Sequence, residues 1–242
     1  MLFIIIQARM TSTRLPGKVM LPLCDKPVLQ VMLERLSYFK DNIIIATTND
    51  GTERPIVELC HSLSIRCFQG DTDNVLDRYY QTATFSGADD SDIIVRQTSD
   101  CPLIDPEITR KTIDYYTSHN FDYVSTGTGA GFPRGMDTEI FSYALLKEAW
   151  NRATESYEKE HVTPYFYRTI RDRLSFGQYK NVTDHSRYRL TLDEESDYRA
   201  VMELYKKLHC RTDFSYDEMI AVLEQYPYIY DLNAAVEQKK IN

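Results

Sequence analysis

The chain has 242 residues, 43% of them hydrophobic and 26% charged, with a formal net charge of -8. That is enough chain and apolar content for one α/β domain with its own core, so a single domain over 1–242 is expected. The acidic balance argues against a general nucleic-acid binder, which needs a basic face, but not against nucleotide binding, because a local group of cations outweighs diffuse charge beyond a screening length.

No apolar run approaches the length of a membrane span. Leu2 to Ile6 is too short for a signal-peptide core and has no basic stretch before it, so a cytoplasmic protein is expected. The five cysteines, Cys24, Cys60, Cys67, Cys101 and Cys210, are odd in number and contain no C-x-x-C, which predicts reduced, mostly buried thiols rather than a disulfide framework or a zinc site.

Phe3-Ile4-Ile5-Ile6 reads as a buried strand. The loop behind it carries three cations, Arg9, Arg14 and Lys18, among Thr, Ser, Pro and Gly. Open α/β sheets bind ligands beyond the carboxyl ends of their strands, so this loop is a candidate anion site, with phosphates as the fitting anion. It has neither a Walker A pattern nor three dinucleotide-binding glycines, so side chains rather than a glycine cradle would neutralise the charge. An ordinary solvated loop fits the residue types equally well.

A helix is predicted from Asp25-Lys26-Pro27 to about Phe39, its N-terminal dipole near the loop. Strands follow at Asn42 to Thr48, Ile65 to Phe68 and Asp92 to Gln97, with helices between them from Thr52 and over Val75 to Ala83. This repeated β-loop-α order predicts a mainly parallel sheet with helices on both faces. Asp71 and Asp73 read as turn and cap carboxylates; the literal Asp-x-Asp also fits the metal pair of a nucleotide-sugar glycosyltransferase. Asp105 with Pro106 is a helix start. Asp100 has no helix of its own to cap, and an Asx turn and a ligand for a hard cation fit it equally.

From Phe121 the rhythm changes. Phe121 to Ser125 reads as a strand, Thr126 to Gly131 as a glycine-rich turn, and Arg134 to Phe141 as a returning strand. This is either a plain hairpin or a loop over an acceptor pocket into which Arg134, Asp137 and Glu139 point. A helix over Ser142 to about Ala153 precedes the charge run Glu155 to Glu160, read as a solvated helix face. Leu174 to Lys180 and Tyr188 to Leu192 read as strands. Asp193 after the second is either an N-cap or a metal ligand. Ser215 to Glu218 is a capping box for the last helix, and the tail from Tyr226 carries no recognised chemistry.

The run Gln7-Ala8-Arg9-x-x-Ser12-Thr13-Arg14-Leu15-Pro16-Gly17-Lys18 resembles the signature of the sugar cytidylyltransferases, which activate acidic sugars with CTP, and most closely their spore-coat polysaccharide branch. Asp100-x-Pro102-Leu103-Ile104 resembles the family segment whose Asp contacts magnesium, and Asp193 matches the late family Asp. The family's Thr-Pro-Glu-Asp is replaced after Asp193 by Glu194-Glu195-Ser196-Asp197, so Asp197 or Glu195 could share that role. The resemblance covers nearly the whole chain. It implies a Rossmann-like nucleotidyltransferase (GT-A-like) fold with a protruding β-hairpin region, Mg²⁺ on Asp100 and Asp193, and CTP bound by Gln7, Ala8, Arg9, Ser12, Arg14, Lys18, Thr98 and Asp100. Of these, Arg9, Arg14, Lys18 and Asp100 would be catalytic. It further implies an acceptor site with Arg134, Asp137, Glu139 and, through Glu-His-Val-Thr-Pro, His161, and a homodimer through residues 121–142. A directly activated acidic sugar and a phosphorylated acceptor giving a CDP-linked product both remain open. A non-catalytic nucleotide sensor would bind CTP without turnover.

Overall fold

In the computed structural model, residues 1–238 are described; the end of the polar tail lies outside them. β1 (Leu2–Gln7) is the strand around which the sheet is built. Phe3 and Ile5 enter one apolar layer and Ile4 and Ile6 the other, because successive strand side chains point to opposite faces. Both faces are covered, which is why the run is continuously apolar.

The chain then makes a single 3₁₀ turn at Lys18–Met20 and a small antiparallel hairpin, β2 (Pro22–Leu23) with β3 (Lys26–Pro27). Only then does α1 (Val28–Arg35) begin, followed by a 3₁₀ stretch at Ser37–Asn42. The expected single helix from Asp25 is thus replaced at its start by the hairpin. Pro27 is extended, with ψ 144°, and helical geometry starts only after it. The cationic loop accordingly runs into a 3₁₀ turn and not directly into α1.

β4 (Ile43–Thr48), α2 (Arg54–Leu63), β5 (Arg66–Gly70), α3 (Val75–Phe85), β6 (Ile93–Thr98) and α4 (Pro106–Ser118) follow the expected rhythm. Asp105 caps α4 by accepting from the Ile108 N–H. β7 (Tyr123–Ser125), β8 (Glu139–Ser142), α5 (Tyr143–Arg152), α6 (Ser156–His161), a π-helical turn at Tyr165–Thr169, β9 (Phe176–Gln178), α7 (Glu195–Lys207), α8 (Tyr216–Gln225) and α9 (Tyr228–Asp231) complete the described chain.

Apart from the β2–β3 hairpin, the described strands form one sheet in the order β5-β4-β1-β6-β8-β7-β9. β1, β4, β5 and β6 are parallel, as are β7 and β9, and β8 runs antiparallel between β6 and β7. Rather than protruding as a hairpin, the β7–β8 pair is built into the sheet; a 13-residue connection, 126–138, links its strands. Residues 134–138 precede β8 instead of forming its first half.

Tyr188 to Leu192 is not a strand. It is an extended segment bonded through a single bridge, Arg134 with Arg189, and by the Leu192 N–H to the Asp100 carbonyl. The charge run is solvated except for Glu158, which is 1% exposed and accepts from the Thr154 and Glu155 N–H groups and the Thr169 hydroxyl.

The expectation of five free thiols is also corrected: Cys24, in the β2–β3 turn, is disulfide-bonded to Cys210 beyond the end of α7. The two lie 186 residues apart in sequence, and tertiary structure brings them together: Leu23, Val28, Leu204, Tyr205 and Leu208 belong to one apolar cluster.

Gly135 fixes the approach of the 134–138 segment to 188–191. Its φ is +102°, and a Cβ there would stand 2.7 Å from the Leu190 carbonyl carbon and oxygen. Backbone cannot yield as a flexible side chain can, so Gly135→Ala is expected to destabilise the protein by about 2 kcal/mol or more. Urea unfolding measures this, and a loss below about 0.5 kcal/mol would contradict the close approach.

Candidate functional site

Beyond the carboxyl ends of β1 and β6 the chain assembles an ion cluster centred on Lys18. Its Nζ lies 2.8 Å from Asp100 Oδ2, 3.0 Å from Asp193 Oδ1 and 2.6 Å from the Leu192 carbonyl oxygen. Three elements meet there: the turn after the cationic loop, the end of β6 and the segment entering α7. Gly17, in the left-handed region at φ +66°, closes the loop by donating its N–H to the Met10 carbonyl and delivers Lys18 to this point. Burial opposes the charge on Lys18, but Asp100 and Asp193 outweigh it and raise its pKa. Burial likewise opposes the charge on both carboxylates; Lys18 overcomes it and keeps them below the usual range, helped at Asp100 by the Thr98 hydroxyl 2.6 Å away.

Arg14 flanks the cluster, 3.2 Å from Asp193 and 3.3 Å from Glu194. Arg189 holds the other Asp193 oxygen at 2.8 Å. Arg9 is exposed and makes no hydrogen bond or ion pair among the described residues. Ser12 accepts from the Leu15 N–H and shapes the loop. The Ala8 N–H is spent on the Ala46 carbonyl.

Asp197 and Glu195 do not join Asp193. Asp197 is fully buried and saturated by Arg189, Asn233 and the Asp193 and Glu194 N–H groups. Glu195 is exposed and pairs with Arg199. The N-cap of α7 is Glu194, boxed with Asp197, so capping does not occupy Asp193. Asp71 turns inward on its own loop, accepting from the Asp73 and Asn74 N–H groups, and Asn74 caps α3.

A second polar group follows from strand register. Gln7 pairs with Thr98, and Arg96 with Glu139. Continuing the antiparallel register places Asp137 opposite Thr98, and the Gln97–Thr138 hydrogen bond agrees. Gln7, Arg96, Thr98, Asp137 and Glu139 thus share one sheet face beside Asp100. Both Glu139 oxygens are engaged, one by Arg96, the other by Tyr123 and by Thr163 at 2.8 Å. Glu139 is therefore spent on its neighbours and anchors Arg96. The Arg134 side chain makes no hydrogen bond or ion pair among the described residues, and its buried Nε is unpartnered.

His161 is half-exposed at the end of α6, 4.0 Å from Glu160. The residue after it, Val162, has φ 69° and ψ -65°, a strained γ-turn for a β-branched side chain. This turn and the π-helical turn after it swing Thr163, not His161, onto Glu139. Sequence reasoning missed Arg96 and Arg189. A charged residue between Val95 and Gln97 in an otherwise apolar strand was the available signal for Arg96; nothing local marked Arg189.

A loop of cations faces paired carboxylates at the switch region of a mainly parallel sheet, where open α/β folds bind their ligands, and the comparisons with known proteins make the class a nucleotidyltransferase. The chain belongs to the cytidylyltransferase family, whose model matches residues 3–241. It is 34% identical over 235 residues to the spore coat polysaccharide biosynthesis protein SpsF of Bacillus subtilis, covering 92% of this chain and 94% of that one. It is 38% identical over 238 residues to an uncharacterized protein of Methanocaldococcus jannaschii, covering 97% and 95%. A cytidylyltransferase structure from Leptospira borgpetersenii superposes with a TM-score of 0.89 at 33% identity, covering 99% of both chains.

Burial raises the pKa of Asp137, opposed by the Gly135 N–H and Arg134, with Glu139 and Asp100 adding repulsion. A carboxyl with a raised folded pKa costs stability above that pKa and nothing below its unfolded value near 3.9. Asp137→Asn should therefore raise Tm by on the order of 2 °C at pH 8, the gain vanishing as pH falls toward about 4. Thermal scans across that range measure it; a variant less stable than wild type at pH 8 would contradict an unpaired carboxylate.

Proposed function

We propose that the protein transfers CMP from CTP to an anionic sugar, releasing pyrophosphate, in the synthesis of a surface polysaccharide or glycoconjugate. The observation that supports this most is the Lys18 cluster, with Arg14 beside it and Arg9 in the same loop. A triphosphate needs several fixed cations, and these three outnumber what the nucleoside diphosphate of a nucleotide-sugar requires. Gln7, Ala8, Ser12 and Thr98 shape the nucleotide pocket around them.

Arg9, Arg14 and Lys18 stabilise the charge that develops on the departing pyrophosphate. Asp100 and Asp193 would hold Mg²⁺, which supplies charge neutralisation at the α-phosphate. The residues fit that ion. Both carboxylates already converge on one cation, the Lys18 ammonium. The described residues hold no cluster of three or more protein ligands, and Mg²⁺ is usually held by one or two carboxylates plus phosphate oxygens.

Arg134 offers an unpaired guanidinium to a carboxylate or phosphate on the acceptor, and Asp137 a hydrogen-bond acceptor for its hydroxyls. Glu139 orients Arg96, and His161, at the end of α6, would contribute to acceptor binding. A carboxylate sugar gives a CMP-linked product, whereas attack through a phosphate gives a CDP-linked one. The glycosyltransferase alternative loses support because Asp71 is tied into its own turn.

The proposal includes a homodimer through the segment 121–142. Since β8 is enclosed between β6 and β7, the contact would come from residues 126–138. No described helix is long and apolar enough to cross a membrane, and the proposal places the reaction in the cytoplasm, where nucleoside triphosphates are available.

Pyrophosphate release is the test, with each of the four NTPs and Mg²⁺ against 3-deoxy-manno-octulosonate, N-acetylneuraminate and a panel of sugar phosphates. The expected result is release with CTP only and with at least one anionic acceptor, and Lys18→Ala should lower turnover by on the order of 10²-fold or more. CTP binding without release for any acceptor would favour a nucleotide sensor.

A further inference from the structure

The Lys18 ammonium has three N–H donors, and all three are spent on the protein: Asp100 at 2.8 Å, Asp193 at 3.0 Å and the Leu192 carbonyl at 2.6 Å. A lysine that awaits a phosphate with its donors free would look different. This one cannot bond a phosphate oxygen without releasing at least one partner. It also lies within 3.0 Å of both carboxylates, in the space where a cation bridging them would sit. Two cations cannot share that space.

We propose that Lys18 is the resident counter-ion of the metal site, surrendering Asp100 and Asp193 to a divalent cation only when a triphosphate draws its ammonium away. This rests on the nucleotide reading of the site. The protein neutralises these carboxylates with its own side chains: Lys18 and Arg14 on one Asp193 oxygen, Arg189 on the other, Lys18 and Thr98 on Asp100. A divalent ion entering alone must displace an ammonium that has nowhere favourable to go. A triphosphate held by Arg9 and Arg14 provides that destination, so nucleotide and metal favour each other's binding, and the coupling is reciprocal. Arg189 keeps one Asp193 oxygen fixed throughout the exchange and preserves the orientation of the carboxylate. The arrangement delays metal capture until the substrate that needs it is present.

The test uses Mn²⁺ alone, without nucleotide, read as loss of the free-ion EPR signal at pH 7.5. Wild type, Lys18→Met, Lys18→Gln and the double variant Lys18→Met/Asp100→Asn are compared, each first checked for a cooperative thermal transition. Removing the ammonium leaves Asp100 without a cationic partner beside an Asp193 held only by Arg14 and Arg189, and that surplus negative charge attracts a divalent cation. Lys18→Met is expected to bind Mn²⁺ at least tenfold more tightly than wild type, and the double variant to lose that gain. Lys18→Gln, which keeps donors but no charge, should follow Lys18→Met and serves in its place should the methionine variant fail to fold. Wild type binding Mn²⁺ as tightly as the single variants, a gain that persists in the double variant, or no Mn²⁺ binding by any protein would each overturn the proposal. The nucleotide reading is judged separately, by the thermal shift that CTP causes in wild-type protein in EDTA. Its failure is therefore visible apart from the outcome with Mn²⁺.

Discussion

One partly buried ammonium ties together three distant parts of the chain. Lys18 comes from the first loop, Asp100 from the end of β6 and Asp193 from the approach to α7. A charged group so placed is tolerated only when paired and hydrogen-bonded, and each member depends on the others. Removing one leaves an uncompensated charge, a loss of roughly 3–5 kcal/mol for buried pairs and less where water still reaches the group. Much of the neighbouring structure supports this meeting point. Gly17 turns the loop, the Leu192 N–H bonds the Asp100 carbonyl, and Tyr198 on α7 donates to the Pro22 carbonyl of the hairpin that follows Lys18. The Cys24–Cys210 disulfide joins the same two regions covalently.

The sheet explains how two chemistries come to sit side by side. β1 and β6 end in the ion cluster, while the antiparallel entry of β8 beside β6 adds Glu139 and Asp137 to the same face. The side of the ion cluster carries Arg14, Lys18 and Arg189. The other side has Arg134, whose side chain makes no hydrogen bond or ion pair among the described residues, Asp137 accepting from the Gly135 N–H, and Arg96 locked to Glu139. That division suits a reaction in which one partner is a triphosphate and the other a hydroxylated molecule with a single anionic group.

Local sequence revealed the parallel half of the fold because its signals are local. Four apolar runs, each followed by a helical period, leave few other arrangements. Asp105-Pro106 and Ser215 to Glu218 act where their own backbone needs a cap. The loop cations and Asp100 were legible because the motif that carries them is contiguous. What escaped depends on partners far away in sequence. Tyr188 to Leu192 has strand composition but meets only one bridge partner. The β2–β3 hairpin is a prolyl segment that tertiary packing pulls away from helix. The disulfide joins residues that no spacing rule links. Arg96 and Arg189 become visible only once Glu139, Asp193 and Asp197 stand opposite them.

The most direct measurement of this account is a crystal structure of the protein with CTP and Mg²⁺ bound. Lys18 Nζ is expected to leave Asp100 and Asp193 and bond a phosphate oxygen, with the two carboxylates holding the metal and Arg189 still on Asp193. A complex in which Lys18 keeps both carboxylate bonds, with the metal or the triphosphate held elsewhere, would contradict it.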